Sequence, residues 1–259
     1  MSGIHKGGLR AFLRTAAASL FFCMLFFTGC GAQETSSLPA APEASSAAPD
    51  SASSEPVLDE PAETIPVDFE ALQQQNPDIY AWLSLPDAGI NHPVLRREDS
   101  DDYYLRLDLD GNYSVGGSLY TQASYNSDDF SDPVTIIYGH SMDDGSMFGR
   151  LQEWCQDHPF GEDTVFTIYQ PGRRLTYRMF AAVPYDNTHV LYYNDFSDES
   201  VFRSFFEDQV FAVRDLQAVL DTSFRPEYGQ NVVMLSTCLR GDSNRRYLVM
   251  GLLVEDVNL

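Results

Sequence analysis

From about residue 65 onward, the apolar residues fall into short runs separated at short intervals by Gly, Pro, Asp and Asn. The runs are Ser118–Thr121, Val134–Tyr138, Thr164–Tyr169, Leu175–Val183, Asn231–Thr237 and Tyr247–Val254. They are rich in β-branched and aromatic residues and too short for buried helices, so each predicts a strand. Helical spacing is rarer. Asp68–Gln75 reads as a short helix with Asp68, a residue suited to capping, at its start, and Asn76-Pro77 closes the pattern. Asp78–Leu83 reads as a short helix or an extended edge. Ser197–Gln209 predicts an inserted helix with Ser197 as cap, acids in its first turn and an apolar face of Val201, Phe202, Phe205 and Phe206. A second short helix is predicted over Met147–Gln156, and Asp215–Asp221 fits either state. The sum is a mainly β domain, a barrel or sandwich with inserted helices.

The first 64 residues follow other rules. The apolar run Ala16–Thr28 follows Lys6, Arg10 and Arg14, as in an export signal, and is short for a membrane-crossing helix, which needs roughly 20 apolar residues. It ends in Phe27-Thr28-Gly29-Cys30. Small residues before a cysteine resemble a bacterial lipobox, which would make Cys30 a lipidation site; the other reading of residues 1–30 is an uncleaved signal anchor. Either one tethers the chain to a membrane by its N-terminus. Residues 31–64 are rich in Ala, Ser, Pro and Glu, with too little apolar surface to offset chain entropy, and read as a disordered spacer. The folded part is then 65–259.

Charge narrows the partners. The formal net charge is -22, of which residues 65–259 carry -18, and Lys6 is the only lysine in the 259 residues. Phosphate backbones attract basic surfaces, so nucleic acid is excluded as a partner. Acidic clusters at Asp99–Asp102 and Asp128-Asp129 read as solvated loops, and no metal site or cofactor is expected.

Two cysteines lie in the folded part. Cys155 sits beside Trp154 in a helical stretch and reads as a small buried hydrophobe. Cys238 ends the apolar strand Val232–Thr237 and precedes a turn-forming stretch, Leu239–Asn244, after which Arg245-Arg246 opens the next strand. Such a hairpin sets an arginine opposite the cysteine, and alternation lets only one of the two arginines reach it. A nucleophilic cysteine needs a proton partner. Of five histidines, His140 alone follows an apolar strand, Val134–Tyr138, and so sits at a strand mouth like Cys238. His92 and His158 precede prolines in turn-like surroundings, and His189 has no marked context.

Leu235-Ser236-Thr237-Cys238, with an arginine at the start of the next strand, resembles the active-site signature of sortases, and Tyr138-Gly139-His140 resembles their histidine motif. Further segments resemble class B sortases: Asn76-Pro77-Asp78-Ile79 with Trp82-Leu83, His92-Pro93-Val94 leading to Tyr103-Tyr104-Leu105, and Gly117-Ser118-Leu119-Tyr120. The Ser197–Gln209 helix falls where that class inserts one before the cysteine strand. The chain departs from the pattern at Met234, where the family usually has Thr, in its lipobox-like leader and in its acidity. The resemblance implies a closed sortase-type β-barrel. It implies a cysteine transpeptidase that cleaves the sorting signal of secreted surface proteins after Thr and joins the acyl group to a peptidoglycan precursor or another amine, on the extracytoplasmic face of a bacterial membrane. Cys238 would be nucleophile, His140 general acid and base, and Arg246 the oxyanion or backbone clamp, with Ser236 and Thr237 lining the substrate groove. Two rival readings are a cysteine peptidase or hydrolase, and a non-catalytic binding lipoprotein on the same fold. Papain-like enzymes place the cysteine before the histidine, the reverse of this order.

Overall fold

The computed structural model describes residues 64–259; the export-signal, lipobox and spacer readings, Cys30 among them, lie outside the described residues. Helix α1 (Phe69–Gln75) starts on Asp68, whose carboxylate accepts from the Ala71 N–H, and stops at Asn76. Strands β1 (Ile79–Leu85) and β2 (Ile90–Arg97) form an antiparallel pair. β3 (Leu119–Gln122) lies parallel to β2, and β4 (Val134–Tyr138) is antiparallel to β3. Helix α2 (Leu151–Asp157) precedes β5 (Val165–Gln170) and the long β6 (Arg173–Tyr185). A helical insert follows, made of α3 (Val190–Tyr193), α4 (Glu199–Ser204) and a π-helical segment, Phe205–Phe211. The chain ends with β7 (Val219–Leu220), β8 (Val232–Leu239) and β9 (Asp242–Asn258).

The strand order is β5-β1-β2-β3-β4-β8-β9-β6-β7, and β5 also pairs with β6. That pairing closes eight strands into a barrel and leaves β7 as a flap on β6, so among the described residues the barrel strands have no long open edge. Alternation along the strands divides the core. Val233, Leu235, Leu239, Tyr247 and Val249 point into the barrel with Phe166, Ile168 and Tyr177. Val232, Met234, Leu248, Met250 and Leu252 point outward on β8 and β9, where the insert covers them with Phe202, Phe205, Phe206 and Phe211. The insert shields the end of this outer face away from the β8–β9 hairpin and leaves the other end free for a site.

Several details differ from the sequence reading. The insert is capped by Asp198, which accepts from the N–H groups of Ser200 and Val201, while the Ser197 hydroxyl is spent on Asp195. Ser197 would start the helix one residue early. The insert passes into π geometry at Phe205, so it is not one α-helix to Gln209. Helix α2 begins at Leu151 instead of Met147, because Met147 is a positive-φ turn residue (φ 53) bridged to Ser141. His92 and Pro93 lie inside β2, since burial of Ile90, Val94 and Leu95 outweighs the local turn signal. Asp78–Leu83 resolves to strand from Ile79. No helix among the described residues is long and apolar enough to cross a membrane.

Candidate active site

The β8–β9 hairpin turns at Arg240-Gly241, with Gly241 at φ 85 where only glycine is free of strain. β9 therefore starts at Asp242, earlier than the loop-forming residues suggest. A bulge between Leu239↔Asp242 and Cys238↔Arg246 takes up the extra residues and keeps the cysteine opposite the arginine. Arg246 Nη1 stands 3.4 Å from Cys238 Sγ and also donates to the Ser243 carbonyl at 3.3 Å. Arg245 turns away to Asp215, with 3.5 Å between Nη2 and the carboxylate. The guanidinium of Arg246 thus faces the sulfur as a fixed positive charge.

β4 brings in the histidine. Its pairing with β8 is parallel, with Tyr138 opposite Ser236, and the Gly139 N–H donates to the Ser236 carbonyl at 3.1 Å. The chain at Gly139 runs so close to Leu119 and Phe148 that a Cβ there would approach them to 2.4 and 2.6 Å. A side chain at 139 would push His140 off its perch. The His140 ring donates from Nε2 to the Leu105 carbonyl at 2.9 Å.

Cys238, Arg246 and His140 line one cavity of about 470 Å³, with Tyr120, Gln122, Tyr138, Tyr185, His189 and Ser236 around it. No hydrogen bond joins His140 to Cys238 among the described residues, as is common before substrate draws catalytic groups together. Tyr120 and Tyr138 stack at 5.5 Å. Burial pushes the Tyr120 phenol up to about 12 and that of Tyr138 higher still, so both remain neutral, semi-apolar wall.

Strand alternation separates the two hydroxyl residues. Ser236 shares the outer face with Cys238. Thr237 shares the inner face with Leu235 and Leu239, and its hydroxyl is buried in the barrel without a partner. Thr237 therefore borders the cavity through its strand, not through a hydroxyl facing the groove. Cys155 is fully buried and burial drives its thiol up, so it stays protonated and inert; both domain cysteines are free. No cluster of three or more His, Cys, Asp or Glu among the described residues is arranged to hold a metal ion.

The sequence reading missed His189 and Gln122. His189 donates from Nε2 to Gln122 Oε1 at 2.9 Å and accepts from the Tyr192 N–H at Nδ1, capping α3. A four-residue helix leaves too little periodicity to mark its cap.

Comparison with known proteins agrees with this architecture. Sortase B of Listeria monocytogenes is 31% identical over 167 residues, covering 64% of this chain and 65% of that protein. The match thus spans slightly under two thirds of the relative's length. Among solved structures, a sortase B from B. anthracis superposes with a TM-score of 0.59 at 26% identity, covering 72% of this chain and 84% of that one. A Staphylococcus aureus sortase B–substrate complex gives 0.58 at 22%, with 72% and 84% covered. No protein-family model matches the chain. The chain is thus similar to class B sortases in sequence and shares their fold.

Proposed function

We propose that the protein is a cysteine transpeptidase that cleaves a sorting-signal peptide and passes the acyl group to an amine. The observation that carries this reading is the Arg246–Cys238 contact in a cavity that also holds His140. The Cys238 thiolate attacks the carbonyl carbon of the scissile threonyl bond. The oxyanion that forms lies beside the Arg246 guanidinium, whose remaining N–H donors are suited to it. As the C–N bond breaks, His140 gives a proton to the departing amine and a thioester remains on Cys238. An incoming amine then attacks the thioester carbon, loses its proton to His140, and the C–S bond breaks to restore the thiolate.

Ser236 and the strand edge at Thr237 line the acyl-donor groove, with the neutral tyrosines as its wall. The S. aureus relative, solved as a substrate complex, supports a peptide in this groove. The acceptor is an amine of peptidoglycan or its precursor. The basic, apolar leader supports an N-terminal tether, by Cys30 lipidation or as a signal anchor, that holds the domain at the extracytoplasmic face of a bacterial membrane. Incubating the protein with a library of sorting-signal peptides and an oligoglycine or stem-peptide amine, then reading products by mass spectrometry, tests this. A peptide cut after Thr and joined to the amine is expected. Cleavage that ignores the amine would favour a hydrolase, and no cleavage would favour a binding protein.

A further inference from the structure

A general acid and base must hold one tautomer and one orientation, and in many enzymes a carboxylate sets both. Among the described residues no carboxylate bonds the His140 ring; its partner is the Leu105 carbonyl. A carbonyl only accepts, so Nε2 carries the hydrogen and Nδ1 is left as the nitrogen that exchanges protons with substrate. The same bond serves both ring states, because the imidazolium also donates from Nε2. The backbone oxygen of Leu105 thus does the orienting work that a carboxylate does elsewhere.

What holds that oxygen still is the Gly117-Ser118 pair, part of a motif whose role the mechanism leaves unexplained. The neighbouring carbonyls are all pinned by residues 114–118. The Ser118 N–H donates to Tyr104 at 3.0 Å, the Ser114 N–H to Arg106 at 2.9 Å, and the Ser118 hydroxyl to Leu107 at 2.9 Å. Leu105 is the one in this row whose carbonyl goes to His140. Gly117 lies directly behind it. A Cβ on Gly117 would come 2.5 Å from the Leu105 oxygen, 2.6 Å from the Tyr104 oxygen and 2.8 Å from the Leu105 carbonyl carbon, and Gly117 has φ +56. These are backbone atoms of a pinned segment, which cannot swing aside as a side chain can.

We propose that Gly117 is a positioning residue for His140: by leaving no atom behind the Leu105 carbonyl, it lets that oxygen sit where it fixes the tautomer and orientation of the histidine ring. This inference rests on the transpeptidase reading for its effect on turnover, but not for its effect on the ring. Relieving a 2.5 Å contact requires a shift approaching 1 Å, and a misplacement of about that size costs about 100-fold in rate.

The test compares Gly117→Ala with Gly116→Ala in the full chain. The three atoms nearest a Cβ on Gly116 belong to the side chains of Met142 and Met147, at 3.6 to 3.8 Å, so that variant controls for the substitution itself. Two readouts are taken: kcat and KM across pH, and the histidine ring 15N spectrum of the substrate-free protein, with the His140 signals assigned by their loss in His140→Gln. Gly117→Ala is expected to lower kcat about 100-fold with KM within about twofold, to displace the pH profile, and to convert His140 from a single Nε2–H tautomer to a mixture. Gly116→Ala should match wild type in both. A folded Gly117→Ala that keeps the wild-type ring spectrum overturns the proposal. Should Gly117→Ala fail to fold, Ser118→Ala decides, since it unlatches Leu107 without adding bulk. A mixed tautomer with kcat down about tenfold supports the latch, and an unchanged spectrum and rate overturn it. If the ring responds as expected while wild type joins no peptide to any amine, the transpeptidase reading fails and the positioning role stands.

Discussion

Cys238 and Cys155 are chemically the same residue in opposite surroundings. One faces a guanidinium at the mouth of a cavity, and the other is sealed in the barrel where burial drives its thiol up. A small alkylating reagent should therefore label Cys238 alone in the native protein. Cys155→Ala should keep nearly full turnover while costing on the order of 1 kcal/mol in stability through a small void. Labelling at Cys155 in folded protein, or loss of activity in folded Cys155→Ala, would reverse the assignment. The adjacent arginines separate in the same way. Arg246→Ala and Arg246→Lys should each lower kcat about 100- to 1,000-fold, as loss of an oxyanion donor does. Arg245→Ala should change it little, because Arg245 reaches Asp215. A crippled Arg245→Ala beside a normal Arg246→Ala would contradict the register Cys238↔Arg246. At this scale the strand-end placement of Cys238 and His140 was legible in the sequence, whereas alternation said only that one of Arg245 and Arg246 faces Cys238, and the resemblance to sortases chose Arg246. Thr237 was not legible, because a motif names neighbours without saying which face each side chain takes. The Leu105 carbonyl was not either, since every residue has one and only the fold selects it.

Among the elements, most strands and α1 were legible because strands buried on both faces read as short apolar runs bounded by turn residues, and because Asp68 and Asn76-Pro77 punctuate the helix. β2 was not, since His92-Pro93 carries a turn signal that only pairing with β1 and β3 overrides. The insert was placed correctly in the chain but not in its geometry: a run of buried aromatics favours covering the sheet, and π-turns widen the face they present. β2 also carries a consequence for pH. Partial burial of His92 lowers its pKa below the usual 6.5. The unfolded chain then takes up the proton at higher pH than the native one. The resulting stability is complete above about pH 6.5 and is lost as pH falls through the native value. The melting temperature should fall between pH 7.5 and 5.5, and His92→Asn should flatten that slope. An equal slope in both proteins would show that His92 is not the group responsible.

For the molecule as a whole, closure of eight strands and the position of the insert explain why the site lies where it does. The barrel brings β4, β8 and β9 side by side, so residues far apart in sequence, His140, Cys238 and Arg246, meet at one end of one face. The insert packs its phenylalanines against Val232, Met234, Met250 and Leu252 on that face, away from the end that holds Cys238 and Arg246. Local patterns predict strands, but closure depends on the β5–β6 pairing and on two parallel pairs, β2–β3 and β4–β8, whose long crossovers leave no local trace. The central claim is that Cys238 carries the acyl group between two substrates. It is tested most directly by mixing the protein with a cleavable sorting-signal peptide, quenching in acid, and measuring the intact mass before and after adding an amine. A covalent adduct of the acyl fragment on Cys238 is expected. It should vanish on addition of the amine as a joined peptide appears in equal amount, and no adduct should form in Cys238→Ala. Peptide cleavage without any adduct on Cys238, or an adduct that decays at the same rate with and without amine and yields only free acid, would contradict it.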